Sequence, residues 1–232
     1  MSRGPMFVKI CGITDVDDAL LAVALGADAV GMVFASGSTR QIAVDRARNI
    51  ASRVPGETLT VGVFRNEAKE RVVDLVHNAG LKAAQLHGNE SVEDVAWIAE
   101  RIPTVIKAVA AGTEQAARAG EFPVRIILVD APTPGSGEVF DWALADSLPE
   151  NRKILLAGGL TPDNVADAIA TVKPWGVDVA SGVESDPGRK DPSALRRFIQ
   201  NAKEAGDQLR NLSETEPGDQ PMYDWEEDDY VN

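Results

Sequence analysis

Short apolar runs rich in β-branched residues alternate along residues 6–203 with segments whose apolar residues recur at helical spacing. The helical spacing is clear at Val72, Leu75 and Val76, which lie three and four positions apart. The apolar runs have the length of buried strands, and eight of them are predicted, at 7–11, 28–34, 59–64, 82–87, 104–110, 125–130, 153–158 and 176–181.

The alternation of strands and helices predicts an α/β fold with a parallel sheet. Eight units in just under 200 residues favour a closed (β/α)8 TIM barrel. An open doubly wound sheet is the alternative, but the G-x-G-x-x-G turn that usually follows its first strand is absent. Two helix starts are predicted at Thr161 and Asp191, because each stands directly before a proline. We therefore predict one barrel domain over residues 1–205.

The net charge of −13 is concentrated near the C-terminus, where residues 204–232 hold ten acidic residues against Arg210 alone. Residues 206–232 are predicted to be an acidic tail that is disordered, or that docks on a partner through its interleaved aromatic residues. The rest of the chain has no basic cluster that could neutralise phosphates, so we expect no binding to nucleic acid.

The chain has one cysteine, Cys11, which cannot form an internal disulfide, and its first 20 residues lack the features of a secretory signal. A cytoplasmic location is expected. No apolar run approaches the ~18 residues of a membrane span, so we expect no membrane insertion. The two histidines and Cys11 lie far apart in sequence, which gives no metal-ligand spacing.

In a TIM barrel the loops at the C-terminal ends of the strands build the active site. Cys11 ends the first strand, and alternation places it with Lys9 on the face that points into the barrel. A thiol with an ordinary pKa near ~8.5 becomes a base if an electropositive neighbour such as Lys9 lowers that pKa. The alternative is that Cys11 is a small buried hydrophobe, as most unpaired cysteines are.

Asp130 ends RIILVD, the most apolar strand, and shares a face with Ile126 and Leu128. Loss of hydration there would raise the pKa of the carboxyl and keep it protonated as a general acid; a loop cap is the alternative. Arg40 follows the second strand and is either a carboxylate-binding group or a solvated surface residue.

The fourth strand and the last two contribute the remaining candidates. Gln85 and His87 share a face of the fourth strand and reach the same rim, where His87 is either a substrate ligand or a structural hydrogen-bonding group. The ends of the seventh and eighth strands read LAGGL and ASGVE. Glycines there let backbone N–H groups approach a phosphate, which indicates a phosphate site formed by Gly158, Gly159, Ser181 and Gly182.

Six stretches together resemble the phosphoribosylanthranilate isomerase family: VKICGIT (8–14), VGVFRNE (61–67), QLHGNE (85–90), FDW (140–142), LAGGLTPDNV (156–165) and DVASGVESDPGRKD (178–191). The resemblance implies an Amadori rearrangement of N-(5-phosphoribosyl)anthranilate to a 1-deoxyribulose 5-phosphate in tryptophan biosynthesis, without cofactor or metal. It implies Cys11 as general base, Asp130 as general acid, Arg40 near the anthranilate carboxylate, and Gly159, Ser181 and Gly182 at the phosphate.

Two loops depart from the family pattern. Ser38-Thr39-Arg40 stands where Ser-Pro-Arg is usual, and PTPGSGEVFDW follows Asp130 where a GGTG-like run is common, so that Gly135 and Gly137 fill its role only approximately. The alternative functions are a histidine-pathway Amadori isomerisation, which normally uses two aspartates, and a phosphate-binding barrel without catalysis. Monomer and homodimer are both compatible with the sequence.

Overall fold

The protein forms a closed barrel of eight parallel strands in a computed structural model that describes residues 4–130 and 151–215. The strands are hydrogen-bonded in chain order, and the first also pairs with the eighth. Their bounds are β1 Phe7–Ile10, β2 Ala29–Val33, β3 Leu59–Phe64, β4 Ala83–Leu86, β5 Thr104–Ala110, β6 Ile126–Asp130, β7 Lys153–Leu156 and β8 Gly176–Val179. The predicted (β/α)8 fold is confirmed, and the open sheet is excluded.

Helices follow the strands and cover the outside of the barrel. They are α1 Val16–Ala24, α2 Val44–Ala51, α3 Lys69–Asn78, α4 Val92–Ala99, α5 Glu114–Ala117, α6 Val165–Val172 and α7 Pro192–Thr215. The connection between β6 and β7, which contains FDW, Gly135 and Gly137, lies outside the described residues.

Alternation along the strands separates an inner from an outer core, as predicted. Val8 and Ile10 pack in the outer cluster against the helices, whereas Lys9 on the same strand is fully buried inside the barrel. In β6, Ile126 and Leu128 belong to the inner cluster, which places Asp130 at the end of the inward face. The inward positions therefore deliver their polar side chains to the C-terminal rim.

One predicted helix start is confirmed and the other is wrong. The carboxylate of Asp191 accepts a hydrogen bond from Ala194 N at 2.7 Å, and α7 begins at Pro192 as predicted. In contrast, α6 begins only at Val165, not after Thr161. The side chain of Asn164 accepts from Thr161 N at 2.8 Å and holds residues 161–164 in a turn, which delays the helix.

The last helix runs to Thr215, so the predicted boundary between residues 205 and 206 falls inside α7. Ala202 and Ala205 are buried, and this helix face packs on the barrel. The remainder of the predicted acidic tail, residues 216–232, lies outside the described residues. Across 4–130 and 151–215, none of the helices is long and apolar enough to cross a lipid bilayer.

A short antiparallel hairpin follows β8, formed by β9 Glu184–Asp186 and β10 Arg189–Lys190 and called here the β9–β10 hairpin. It is tied to the loop after β1, because Thr14 Oγ1 donates to Gly188 O at 2.6 Å. The backbone N–H of Lys190 also donates to Asp18 Oδ2 at 2.8 Å. The hairpin is thereby fixed against the end of the strand that leads to Cys11.

Candidate active site

A cavity of about 300 Å³ opens at the C-terminal ends of the strands. All nine residues predicted for the site line it: Cys11, Arg40, Gln85, His87, Asp130, Gly158, Gly159, Ser181 and Gly182. They come from six of the eight strands and the loops that follow them. The sequence therefore predicted which side chains meet, although they are spread over more than 170 residues.

Cys11 lies at the rim of the barrel, directly above a buried ion pair between Lys9 and Asp178. Its backbone N–H donates to Val179 O at 2.8 Å, which holds it on the end of β8. Beneath it, Lys9 Nζ lies 2.8 Å from Asp178 Oδ1, and these two residues are direct partners in the β1–β8 ladder. Gly31 makes room for this group, since an added Cβ there would lie 3.0 Å from Cys11 Sγ and 3.1 Å from Lys9 Nζ.

The thiol of Cys11 differs from the sequence-based expectation in its acidity. Burial raises the pKa of Cys11 above its ordinary value; the nearby charge of Lys9 opposes the shift, and Asp178 reinforces it. Lys9 acts on this pKa in the expected direction, but burial of the thiol outweighs its charge and Asp178 adds to the rise, so the net shift is opposite to the one expected. In the free protein the thiol is therefore mainly protonated at neutral pH.

We expect the rate of alkylation of Cys11 by iodoacetamide to rise with pH, because only the thiolate reacts. The midpoint of this rate–pH curve should lie above ~8.5, since the pKa of the thiol is raised. Cys11 is the sole cysteine, so peptide mass mapping at residue 11 reports this reaction alone. The same chain unfolded in urea is the control and should show an ordinary inflection. An inflection lower in the folded than in the unfolded chain would contradict the assignment.

Asp130 is joined to β4 by a chain of hydrogen bonds. Gln85 Nε2 lies 3.0 Å from His87 Nδ1, and His87 Nε2 lies 3.1 Å from Asp130 Oδ2. Because an amide N–H donates, Nδ1 accepts and the ring proton resides on Nε2, facing the carboxyl. Gln85 is 1% exposed and fixes the imidazole. His87 is thus a hydrogen-bonding partner of Asp130 that also lines the cavity.

Arg40 lines the opposite wall of the cavity, but it is not a solvated surface residue. Its Nε and Nη2 atoms donate to Glu184, with Nε–Oε1 2.8 Å and Nη2–Oε2 2.6 Å. The hydrogen bonds and charge of Glu184 raise the pKa of the guanidinium despite its partial burial. Glu184 also accepts from Lys190 Nζ at 2.9 Å. The guanidinium is therefore held in one orientation by a paired carboxylate.

The two glycine loops meet at the third side of the cavity. Gly158 and Gly159 have φ of 86° and 64°, in the left-handed region that favours glycine. An added Cβ on Gly182 would lie 1.9 Å from Leu160 O, so the two loops approach each other more closely than any other residue at 182 would allow. Ser181 and Gly182 open a 3₁₀ turn, Ser181–Val183. Among the described residues, no acceptor meets the backbone N–H groups of Gly159 and Gly182.

Sequence reasoning missed several residues of the site: Arg65 and Asp178 line the cavity, and Glu184 and Lys190 stand behind Arg40. Asp178 carried a signal, because it is a lone carboxylate within an apolar strand. The described ranges hold no group of three or more His, Cys, Asp or Glu side chains that could bind a metal ion. Chemistry without metal or cofactor stays a prediction.

A family model and a sequence relative that match this chain carry the same name. The family model for N-(5'-phosphoribosyl)anthranilate (PRA) isomerase matches residues 8–201. A relative of that name from Desulforudis audaxviator is 49% identical over 202 residues, which cover 85% of this chain and 98% of the relative.

Solved structures agree with the sequence relatives. The phosphoribosyl anthranilate isomerase of Thermus thermophilus superposes with a TM-score of 0.80 at 41% identity, covering 84% of this chain and 98% of its own. A second isomerase structure, in complex with reduced 1-(o-carboxyphenylamino)-1-deoxyribulose 5-phosphate, gives a TM-score of 0.76 at 44% identity, covering 86% and 99%. By family model, sequence relatives and fold, the chain belongs to the N-(5'-phosphoribosyl)anthranilate isomerase family.

Proposed function

We propose that the protein converts N-(5'-phosphoribosyl)anthranilate into 1-(2-carboxyphenylamino)-1-deoxyribulose 5-phosphate, a step of tryptophan biosynthesis. The carrying observation is that one cavity brings together an acid, a thiol, an arginine and two glycine loops. Each suits one part of such a substrate: its ring oxygen, its C2 hydrogen, its carboxylate and its phosphate. Its relatives bear the name of this activity, and one was solved with a reduced product.

The first step opens the ribose ring with Asp130 as general acid. The protonated carboxyl gives its proton to the ring oxygen, the bond between that oxygen and C1 breaks, and the lone pair of the anthranilate nitrogen forms C1=N. The product is a protonated Schiff base with a free hydroxyl at the former ring position. His87 holds the carboxyl in place, because its Nε2–H donates to Asp130 Oδ2 at 3.1 Å and leaves the other oxygen to carry the acidic proton.

The second step removes a proton from C2 with Cys11 as general base. The thiolate accepts the proton, the electrons of the C–H bond form C1=C2, and the C=N electrons return to nitrogen as an enolamine. The C2 hydroxyl then loses its proton as C1 gains one, which leaves a ketone at C2. Asp130 takes a proton back and Cys11 releases the one it took, both by exchange with solvent. The raised pKa keeps Cys11 as a thiol in the free protein, so its proton must pass to solvent before this step, and the positive iminium near Cys11 favours that loss.

The two ends of the substrate are held by different groups of the cavity wall. The backbone N–H groups around Gly159 and Gly182 suit the phosphate, with Gly158 and Ser181 shaping the same loops. Arg40 suits the anthranilate carboxylate, which a guanidinium binds through charge-assisted hydrogen bonds. Gln85 orients His87. With both ends fixed, the reacting carbons lie between Cys11 and Asp130.

The test is to incubate the purified protein with freshly made phosphoribosylanthranilate and follow the loss of its fluorescence. We expect saturable turnover without added metal or cofactor. The aminoimidazole carboxamide substrate of the histidine-pathway Amadori reaction is the parallel arm, and we expect much slower turnover, because that reaction normally uses an aspartate where Cys11 stands. Absence of turnover with both substrates would contradict the proposed activity and favour the alternative of a phosphate-binding barrel without catalysis.

The location of the protein, the role of its tail and its oligomeric state are further parts of this proposal. We infer a cytoplasmic enzyme from the lone cysteine, and a docking or solubilising role for the acidic tail from its aromatic residues. The isomerase of Thermotoga maritima is described as dimeric and was also solved as generated monomers. For this chain both states are open to measurement by light scattering.

A further inference from the structure

The β9–β10 hairpin places a buried carboxylate between two cations at the edge of the cavity. Glu184, at the start of β9, accepts from Arg40 and from Lys190, the last residue of β10. The side chains of Glu184 and Lys190 are 5% and 0% exposed, whereas that of Arg40 is 24% exposed and reaches the cavity. The arrangement is a row of charges that runs from the interior to the substrate site.

We propose that Glu184 is a positioning residue that fixes the guanidinium of Arg40 and thereby sets the preference of the site for an arylamine that carries a carboxylate, a role that rests on the proposed function.

Three contacts fix the position of Arg40: one at its stem, one at its backbone N–H and one at its guanidinium. Its stem crosses Gly12, where an added Cβ would lie 2.6 Å from Arg40 Cδ, so the side chain passes directly beside the residue that follows Cys11. Its backbone N–H donates to Ser38 Oγ at 3.1 Å. Glu184 engages Nε and Nη2, and no described acceptor meets Nη1. The unused edge of the guanidinium is therefore the one available to a ligand.

The charges of the row leave one positive charge for a ligand. Burial lowers the pKa of Lys190, and the charge of Glu184 opposes that shift. With Lys190 protonated, Arg40 and Lys190 contribute two positive charges and Glu184 cancels one. Burial alone would raise the pKa of Glu184, but the hydrogen bonds from Arg40 and the charge of Lys190 hold it below its ordinary value, so the residue is ionised at neutral pH. Without that carboxylate, the guanidinium of Arg40 would be free to rotate. The conformational entropy lost in ordering it would then reduce the affinity for the substrate.

Glu184 itself is held from behind. Lys190 Nζ donates to Ala180 O at 3.0 Å as well as to Glu184, and the hairpin is tied to Thr14 and Asp18. The carboxylate therefore has a fixed position before any substrate binds. Such support of a ligand-binding group reduces the conformational freedom lost on binding.

The expected effect appears in KM because the substrate carboxylate takes no part in the bonds that change. An interaction of equal strength in ground and transition states contributes to KM and leaves kcat almost unchanged. A general weakening of the barrel would instead reduce the amount of active enzyme, with the same effect on every substrate. The two causes are separated by comparing two substrates within one variant.

The test measures kcat/KM for phosphoribosylanthranilate and for the aniline adduct of ribose 5-phosphate, which lacks the carboxylate. The ratio of the two values is the carboxylate preference. In Glu184→Gln we expect this preference to fall at least ~10-fold, the range of one charge-assisted hydrogen bond, through a higher KM for phosphoribosylanthranilate. Because both substrates meet the same preparation, partial unfolding cancels from the ratio.

Two further variants complete the experiment. Asp186→Asn removes an exposed acid from the same hairpin and should leave the preference unchanged. Arg40→Gln should abolish the preference, and Arg40→Gln combined with Glu184→Gln should reduce it no further. Equal losses for both substrates in Glu184→Gln, or an additional loss in the double variant, would overturn the positioning role. Failure of the unmodified protein to convert phosphoribosylanthranilate would instead overturn the proposed function, and this is seen before any variant is compared.

Discussion

Replacement of Cys11 by alanine is expected to reduce kcat for phosphoribosylanthranilate by at least ~10²-fold, because the variant has no group that can remove the proton from C2. Cys11 points from β1 to the cavity and lies above the Lys9–Asp178 pair, and the carboxylate of Asp178 is already engaged by Lys9 Nζ at 2.8 Å. Loss of fluorescence of the substrate measures the effect.

The control for this variant is binding. The reduced 1-(o-carboxyphenylamino)-1-deoxyribulose 5-phosphate that was solved with a relative should bind Cys11→Ala with nearly unchanged affinity, since the arginine and the glycine loops are intact. The midpoint of thermal unfolding should shift little, because a small, nearly buried side chain is shortened by one atom. Turnover near that of the unmodified enzyme would show that Cys11 is packing and not the base.

The second large effect is expected for Asp130→Asn, which keeps the shape of the side chain and a hydrogen bond to His87 but removes the acidic proton. We expect kcat to fall ~10²- to 10⁴-fold, the usual contribution of a positioned acid. The cause is loss of ring opening, which precedes proton removal at C2. The same fluorescence assay measures it.

An isotope effect separates the two steps. With substrate deuterated at C2, the Asp130→Asn variant should show an isotope effect on kcat close to unity, because ring opening limits its rate. Cys11→Ala serves as the comparison, since its residual reaction is limited by breaking the C2–H bond and should show a clear isotope effect. A large isotope effect in Asp130→Asn would assign Asp130 to proton transfer at C2 and contradict the order proposed here.

Strand positions and cavity-lining residues could be predicted from sequence because they depend on local patterns. A run such as RIILVD identifies a buried strand, and the period of two then assigns Asp130 to the inward face. Parallel strands bring their C-terminal ends to one rim, so the order of elements alone places Cys11 near Asp130. The predicted helix start after Thr161 was wrong because the Asn164 side chain binds the backbone N–H of Thr161 and holds residues 161–164 in a turn.

The charge pairs could not be predicted because their partners are distant in sequence. Lys9 and Asp178 are 169 residues apart, and Arg40 and Glu184 are 144 apart. Strand alternation shows that Lys9 points inward but not how deeply Cys11 is buried or that a carboxylate faces Lys9. Burial, reinforced by this carboxylate, outweighs the charge of Lys9 and raises the pKa of Cys11. The acidity of a site depends on such partners, which only the closed barrel supplies.

The seam where β1 meets β8 joins the beginning of the barrel to its end, and Cys11 lies on this seam through its hydrogen bond to Val179. The position of the base is therefore set by the final closure of the barrel. During refolding, the first seven strands have no working site of their own, because Asp178, Gly182 and Glu184 arrive with the eighth strand. Recovery of turnover after dilution from denaturant thus reports barrel closure itself, and it should lag behind the recovery of helical signal.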